Sequence, residues 1–247
     1  MSLPVFIHPD LSAAQAGDAI TLSGPEARHA VTVKRMQQGE KLALIDGTGI
    51  RLTLTVTETS GKDHLTGTVE SVTQLPEPNP RVTVVQAIPK SERAELAVDL
   101  ATQAGADEII AWQADRCVAK WDGKKAPKAI TKWQAAAEAA AKQSRRDRIP
   151  QVRGPLTTRQ LVAELAERAE SARVLVLHEE ATESIREVDL RGEVFLLVGP
   201  EGGIGEEELT TLREVGAVPI KLGPEVLRTA SAAMVALAAI GMRTERW

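Results

Sequence analysis

Short apolar runs, rich in β-branched residues and leucine, recur through the first part of the chain. Residues 19–22, 41–45, 52–56 and 65–69 are each of strand length. Asp46-Gly47, between the second and third run, is a hairpin-turn pair. Only residues 25–36 carry a brief helical pattern. The stretch Pro76-Glu77-Pro78-Asn79-Pro80 then breaks the pattern. Three prolines so close withhold backbone N–H groups from any helix or sheet. The pattern predicts an all-β domain over 1–75, a stiff linker over 76–81 and a second domain over 82–247.

Beyond the linker, strand and helix alternate. Residues 82–88, 109–112, 174–177, 194–198 and 218–222 read as strands. Those at 174–177 and 194–198 show no polar alternation, which places them inside a parallel sheet covered on both faces. Helical patterns run over 91–104, 127–144, 157–171, 206–215 and 231–242. Ser91 is the expected N-cap of the first, and Gly105 its stop. The fold class is α/β: a C-terminal parallel-sheet domain preceded by a small β-domain.

Composition adds exclusions. An apolar fraction of 43% and a charged fraction of 26% are those of an ordinary globular protein. The longest uncharged apolar run, 232–240, is far short of a membrane span. The N-terminus has no basic region followed by an apolar stretch, so no secretory signal is expected. One cysteine, Cys117, and four scattered histidines leave no framework for an internal disulfide or structural zinc. The reading is a cytoplasmic protein without a metal. Net charge is −4, yet residues 116–153 hold eleven Lys or Arg against three acids. That excess suits either a phosphate-binding patch or a solvated helix face. With no Tyr and two Phe, an aromatic base-stacking platform is not expected; Trp112, Trp121 and Trp133 are assigned to packing.

Two glycine-rich turns carry the candidate chemistry. One is Gly199-Pro200-Glu201-Gly202-Gly203-Ile204-Gly205, and the other is Leu222-Gly223-Pro224-Glu225-Val226-Leu227-Arg228-Thr229. Each follows a predicted buried strand and precedes a predicted helix, so both face ligand at the same end of a parallel sheet. Neither turn is a dinucleotide fingerprint, a Walker loop or a nucleophile elbow.

Both turns, with their strands, resemble the cofactor motifs of knotted SPOUT methyltransferases. The match is closest to the RsmE-type 16S ribosomal RNA (uracil-N3)-methyltransferases and spans nearly the whole chain. Phe6 and the stretch from Gly24-Pro25-Glu26-Ala27-Arg28-His29-Ala30 to Gly39 resemble that family's PUA-like barrel. Pro89-Lys90-Ser91-Glu92-Arg93, Ala101-Thr102-Gln103-Ala104-Gly105-Ala106 and the 141–150 stretch resemble further family segments. Three positions depart from the pattern. Ala230 stands where a carboxylate is common, Lys142 where an acid is common, and Gly205 where Ser or Thr is common.

The resemblance implies a C-terminal trefoil knot, a homodimer and S-adenosylmethionine as methyl donor. The donor site would comprise Leu177 and His178, Gly199, Pro200, Glu201, Gly202 and Gly203, then Leu222, Gly223, Leu227, Arg228 and Thr229. His178 reads otherwise as a surface histidine, and the leucines as plain core. The implied reaction is methyl transfer to N3 of a uridine in 16S ribosomal RNA of the small ribosomal subunit. Arg228 would stabilise the uracil anion, unless it only pairs with Glu201 or another acid. Glu201 would organise its loop or receive the N3 proton. RNA contacts would fall to Arg28, Lys34, Arg35, Lys90, Arg93, Arg145 and Arg146. Rival readings are methylation of a ribose 2′-hydroxyl, or a ribosome-assembly RNA-binding protein with vestigial loops.

Overall fold

In the computed structural model, residues 3–90 and 93–247 are described. The chain divides into two compact units, one of residues 1–77 with 141–149, the other of residues 78–140 with 150–247. Ser91, the expected N-cap, and Glu92 lie outside the described residues.

The first unit is built on five strands: β1 (Val5–Ile7), β2 (Ala19–Ser23), β3 (Lys41–Ile45), β4 (Ile50–Ser60) and β5 (His64–Gln74). Their order in the sheet is β1-β3-β4-β5-β2. β1 was not foreseen; it is only three residues long and pairs in parallel with the distant β3. On β4 the alternation is regular: Leu52, Leu54 and Val56 are buried while their neighbours look outward. Two bulges in the β4–β5 pairing increase the local twist. The curved sheet closes on a core that includes Phe6, Leu22, Leu42, Leu44, Leu52 and Leu65. Helix α1 (Gly24–Arg28) runs into a π-helical turn at His29–Val33. Glu26 of α1 accepts the N–H of Ile7 at 2.9 Å, linking the two outer strands of the sheet.

The foreseen turn at Asp46-Gly47 is present. The Asp46 carboxylate accepts N–H groups from Thr48, Gly49 and Ile50 at 2.8, 3.1 and 3.0 Å. Burial alone would raise its pKa, but the Thr48 hydroxyl, which also donates to the carboxylate, and these N–H groups outweigh it and hold the carboxyl below its ordinary value.

Segment 141–149 joins this unit from far along the chain. Lys142 meets Glu26 at 2.6 Å, and Asp147 meets Arg51 at 2.5 Å. Arg148 donates to the carbonyls of Leu75 and Pro76 and to Glu77, each at 3.1 Å. Ile149 packs beside Val5, Ala43 and Ile45. Several cations of the basic run are therefore already neutralised, as is Arg153 by Glu108 and Glu164 in the other unit. The run is thus not a stretch of wholly unpaired cations.

The second unit holds β6 (Arg81–Ala87), β7 (Glu108–Gln113), β8 (Gln151–Thr157), β9 (Ala172–Leu177), β10 (Glu183–Ser184), β11 (Glu193–Val198) and β12 (Val218–Lys221). The order is β10-β12-β9-β11-β6-β7-β8, with every pairing parallel. Helices α2 (Ala94–Gln103), α3 (Lys125–Ser144), α4 (Thr158–Ala166), α5 (Glu206–Glu214) and α6 (Thr229–Arg243) complete the alternation. The central strands β6, β9 and β11 are almost wholly buried and mainly apolar, though β6 also buries Thr83 and Gln86.

Differences from expectation have local causes. β8 escaped notice because Gly154-Pro155 interrupts its pattern, yet as the outermost strand it tolerates a proline. A Cβ at Gly154 would sit 2.6 Å from the Ala111 carbonyl, so β8 approaches β7 closely there. β10 has only two residues, too few for any pattern. α4 opens on a reciprocal Thr157–Gln160 capping box and stops at Ala166 rather than 171. Trp112 and Trp133 are fully buried, in keeping with packing roles.

Candidate functional site

The C-terminal ends of β9, β11 and β12 lie side by side. Their loops enclose a cleft of about 630 Å³, a size suited to a small cofactor. Every residue expected to hold the donor lines it: Leu177, His178, Gly199, Pro200, Glu201, Gly202, Gly203, Leu222, Gly223, Leu227, Arg228 and Thr229. Val198, Ile204 and Ile220 extend the apolar wall, and Glu179, Glu180, Glu206 and Glu225 stand around it.

Local chemistry shapes each loop. Gly199 admits Ile204, whose Cγ1 would lie 2.8 Å from a Cβ at that position. Gly203 has a positive φ of 72°, closed by its N–H on the Pro200 carbonyl at 2.9 Å. Glu201 accepts the N–H of Lys90 at 3.1 Å, which ties this loop to the one after β6. That contact supports an organising role for Glu201. His178 is half-buried; its N–H bonds the Ile220 carbonyl at 3.0 Å, and its Nδ1 accepts the Glu180 N–H at 3.3 Å. Gly205 is the N-cap of α5, with three acids in the first turn to complement the dipole.

Arg228 is the N-cap residue of α6, and its carbonyl receives the N–H groups of Ser231 and Ala232 at 2.9 and 3.0 Å. Its guanidinium meets no carboxylate among the described residues. The alternative of an Arg228–Glu201 pair is thus not realised. Ala230 is buried in the first turn of α6.

The cleft suits an S-adenosylmethionine molecule. A Cβ at Gly203 would meet nothing within 4 Å, and one at Gly223 only Glu225, so both turns lay bare backbone toward the space. Bare amides and carbonyls serve the polar edges of such a ligand, leucine and isoleucine walls its aromatic part, and carboxylates its positive charge.

The expected RNA contacts separate into two groups. Arg28, Lys34, Arg35 and Arg145 are exposed on the first unit, where Arg146 is half-buried. Arg35 and Arg145 hold positive φ values of 55° and 61°, a conformation that non-glycine residues adopt at a cost of about 1 kcal/mol. Lys90 and Arg93 follow β6 in the second unit, and Arg93 lines the cleft itself. Arg116, after β7, also lines it. Sequence reasoning counted Arg116 among the cations but gave it no role, because nothing local marks its proximity to the glycine turn.

A seven-stranded parallel sheet, a glycine-turn cleft at one end and a small β-unit before it define a SPOUT-type RNA methyltransferase architecture. A family model described as an RNA methyltransferase domain matches residues 76–241, and one described as an RNA methyltransferase PUA domain matches residues 22–70. The Ribosomal RNA small subunit methyltransferase E of Mycobacterium tuberculosis (strain CDC 1551 / Oshkosh) is 51% identical over 234 residues, covering 94% of this chain and 89% of that protein. Its counterpart of the same name in Bacillus subtilis (strain 168) is 30% identical over 250 residues, covering 97% and 96%. A protein of Legionella pneumophila solved with bound SAM superposes with a TM-score of 0.85 at 30% identity, covering 98% of each chain. The chain belongs to the RsmE family of 16S ribosomal RNA methyltransferases, in the SPOUT superfamily, and its second domain has the knotted SPOUT fold.

Proposed function

We propose that this protein methylates N3 of a uridine in 16S ribosomal RNA, using S-adenosylmethionine. The observation that carries the reading is the gathering of both glycine turns, an apolar wall and an arginine that no carboxylate among the described residues pairs, in one cleft. Bound there, the cofactor supplies an electrophilic methyl group on a positively charged sulfur.

The chain's own residues set position and charge. Holding reactants at near-attack distance removes roughly 7 to 11 kcal/mol of barrier. Neutral uracil N3 carries a proton and is a poor nucleophile, so the site must favour the anion. Arg228, which no carboxylate among the described residues occupies, offers a permanent fork of donors to a uracil carbonyl oxygen as charge develops. Glu201 keeps its turn in register through Lys90, and its second oxygen, which accepts no hydrogen bond among the described residues, would receive the departing proton.

RNA is held by Arg28, Lys34, Arg35, Arg145 and Arg146 on the PUA-like unit and by Lys90 and Arg93 near the cleft. The positive φ values of Arg35 and Arg145 support this reading, since strained backbone gathers at functional positions. A second copy of the chain is the partner we assign to α6, whose Met234, Val235, Ala238 and Met242 form an incompletely covered apolar stripe. No helix among the described residues is long and apolar enough to cross a membrane. No group of three or more His, Cys, Asp or Glu among them could hold a metal ion.

The test uses small-subunit RNA from cells lacking this gene, either assembled with its proteins or stripped. Each is incubated with purified protein and radiolabelled S-adenosylmethionine, then digested to nucleosides. Label in 3-methyluridine is expected. Label in a ribose-methylated nucleoside would overturn the N3 assignment while keeping the cofactor.

A further inference from the structure

The order of the sheet sorts the loops along its C-terminal edge. β12, β9 and β11 stand together and supply the apolar, glycine-rich part of the cleft. The next two strands, β6 and β7, continue the same edge, and their loops bring Arg93 and Arg116 to the same space. Nonpolar recognition thus lies on one side of the 199–205 turn and two guanidinium groups on the other.

Arg116 is fixed from below and open above. The N–H of Asp115 donates to Glu208 Oε1 at 3.1 Å, and Thr158 Oγ1 donates to the same oxygen. Glu208 is only 3% exposed, so this anchor is shielded from water. The stem of Arg116 lies against the glycine turn. A Cβ at Gly202 would stand 3.2 Å from Arg116 Cβ, and one at Gly205 would stand 3.6 Å from its Nε. One donor, Nη1, reaches the Gly202 carbonyl at 3.3 Å. No carboxylate among the described residues pairs with Arg116 or with Arg93. The head of Arg116 is exposed, and among the described residues most of its donors are uncommitted. A guanidinium fork so presented matches two oxygens of a phosphate.

We infer that Arg116, together with Arg93, grips the phosphodiester backbone of the RNA strand beside the target base. This rests on the RNA-methylating reading above and adds the direction of approach: the strand reaches the cleft from the β6–β7 side of the glycine turn. Arg228, on the β12 side, is left for the base.

The full chain carrying Arg116→Met or Arg116→Lys tests this. Methionine keeps an unbranched stem over Gly202 and Gly205 but removes the charge. Arg116→Met should bind unmethylated small ribosomal subunits about tenfold more weakly. Its slope of log affinity against log salt should fall by about one. KM for the subunit should rise while kcat holds, with S-adenosylmethionine affinity within about twofold of the parent. Arg116→Lys should restore the salt slope. An unchanged slope in Arg116→Met overturns the inference. So does a tenfold loss of S-adenosylmethionine affinity with subunit binding intact, because Arg116 would then serve the donor loop. A parent protein that binds subunits but no S-adenosylmethionine would remove the methyltransferase reading and leave the phosphate contact to be judged on the salt slope alone.

Discussion

Arg228 shows how much a single side chain's surroundings can decide. The residue was identifiable from its place after the second glycine turn, but whether it was a clamp or a free cation depended on its neighbours. No carboxylate among the described residues stands beside it, which is the basis for proposing that its charge serves the substrate. Arg228→Ala should lower single-turnover methylation by at least about 100-fold, the usual scale for losing a donor to developing negative charge. Cofactor affinity, read by calorimetry, should stay within about tenfold. Normal turnover at saturating cofactor, with affinity lost, would make Arg228 a clamp after all. Lys142 teaches a different lesson. Its partner Glu26 lies far back in the chain; no local pattern reveals such a pair.

Elements were legible in proportion to their periodicity. The buried strands β9 and β11 and the long α3 stand out because their apolar patterns are unbroken. β8 and β10 do not, since one is interrupted by Gly154-Pro155 and the other is too short to have a period. The β3–β4 turn was legible because Asp-Gly is a turn pair, and its energetics can be tested. Asp46 has a carboxyl held below its ordinary value in the folded state. A depressed folded pKa stabilises above the unfolded value of 3.8 and is lost as pH falls through the folded one. Asp46→Ala should therefore cost about 1 to 2 kcal/mol in urea melts at neutral pH. The gap between variant and parent should hold down to about pH 4 and narrow below it. A pH-independent gap would assign the loss to packing alone.

At the scale of the whole molecule, periodicity stops being informative. Nothing in the pattern of residues 172–243 dictates that β11 sits between β9 and β6, or that the chain is knotted; those follow from non-local pairing. Assembly is equally non-local. The α6 stripe should bury itself against a second copy, so sedimentation should report a dimer at micromolar concentration. Val235→Glu, at an exposed position, should shift it to monomer without lowering the melting temperature by more than a few degrees. A parent that sediments as a monomer would sink the assignment.

Segment 141–149 has a consequence for anyone wishing to take the protein apart. The proline stretch invites a cut, yet residues 1–77 cloned alone would lack the chain that neutralises Glu26 and Arg51 and covers Val5 and Ile45. The complementary fragment would carry Ile149 with nothing to bury it. A severed pair should therefore be recovered as soluble protein only by co-expression, each half supplying the other's missing surface in trans. A usable minimal RNA-binding fragment would need residues 141–149 grafted back through an engineered connection.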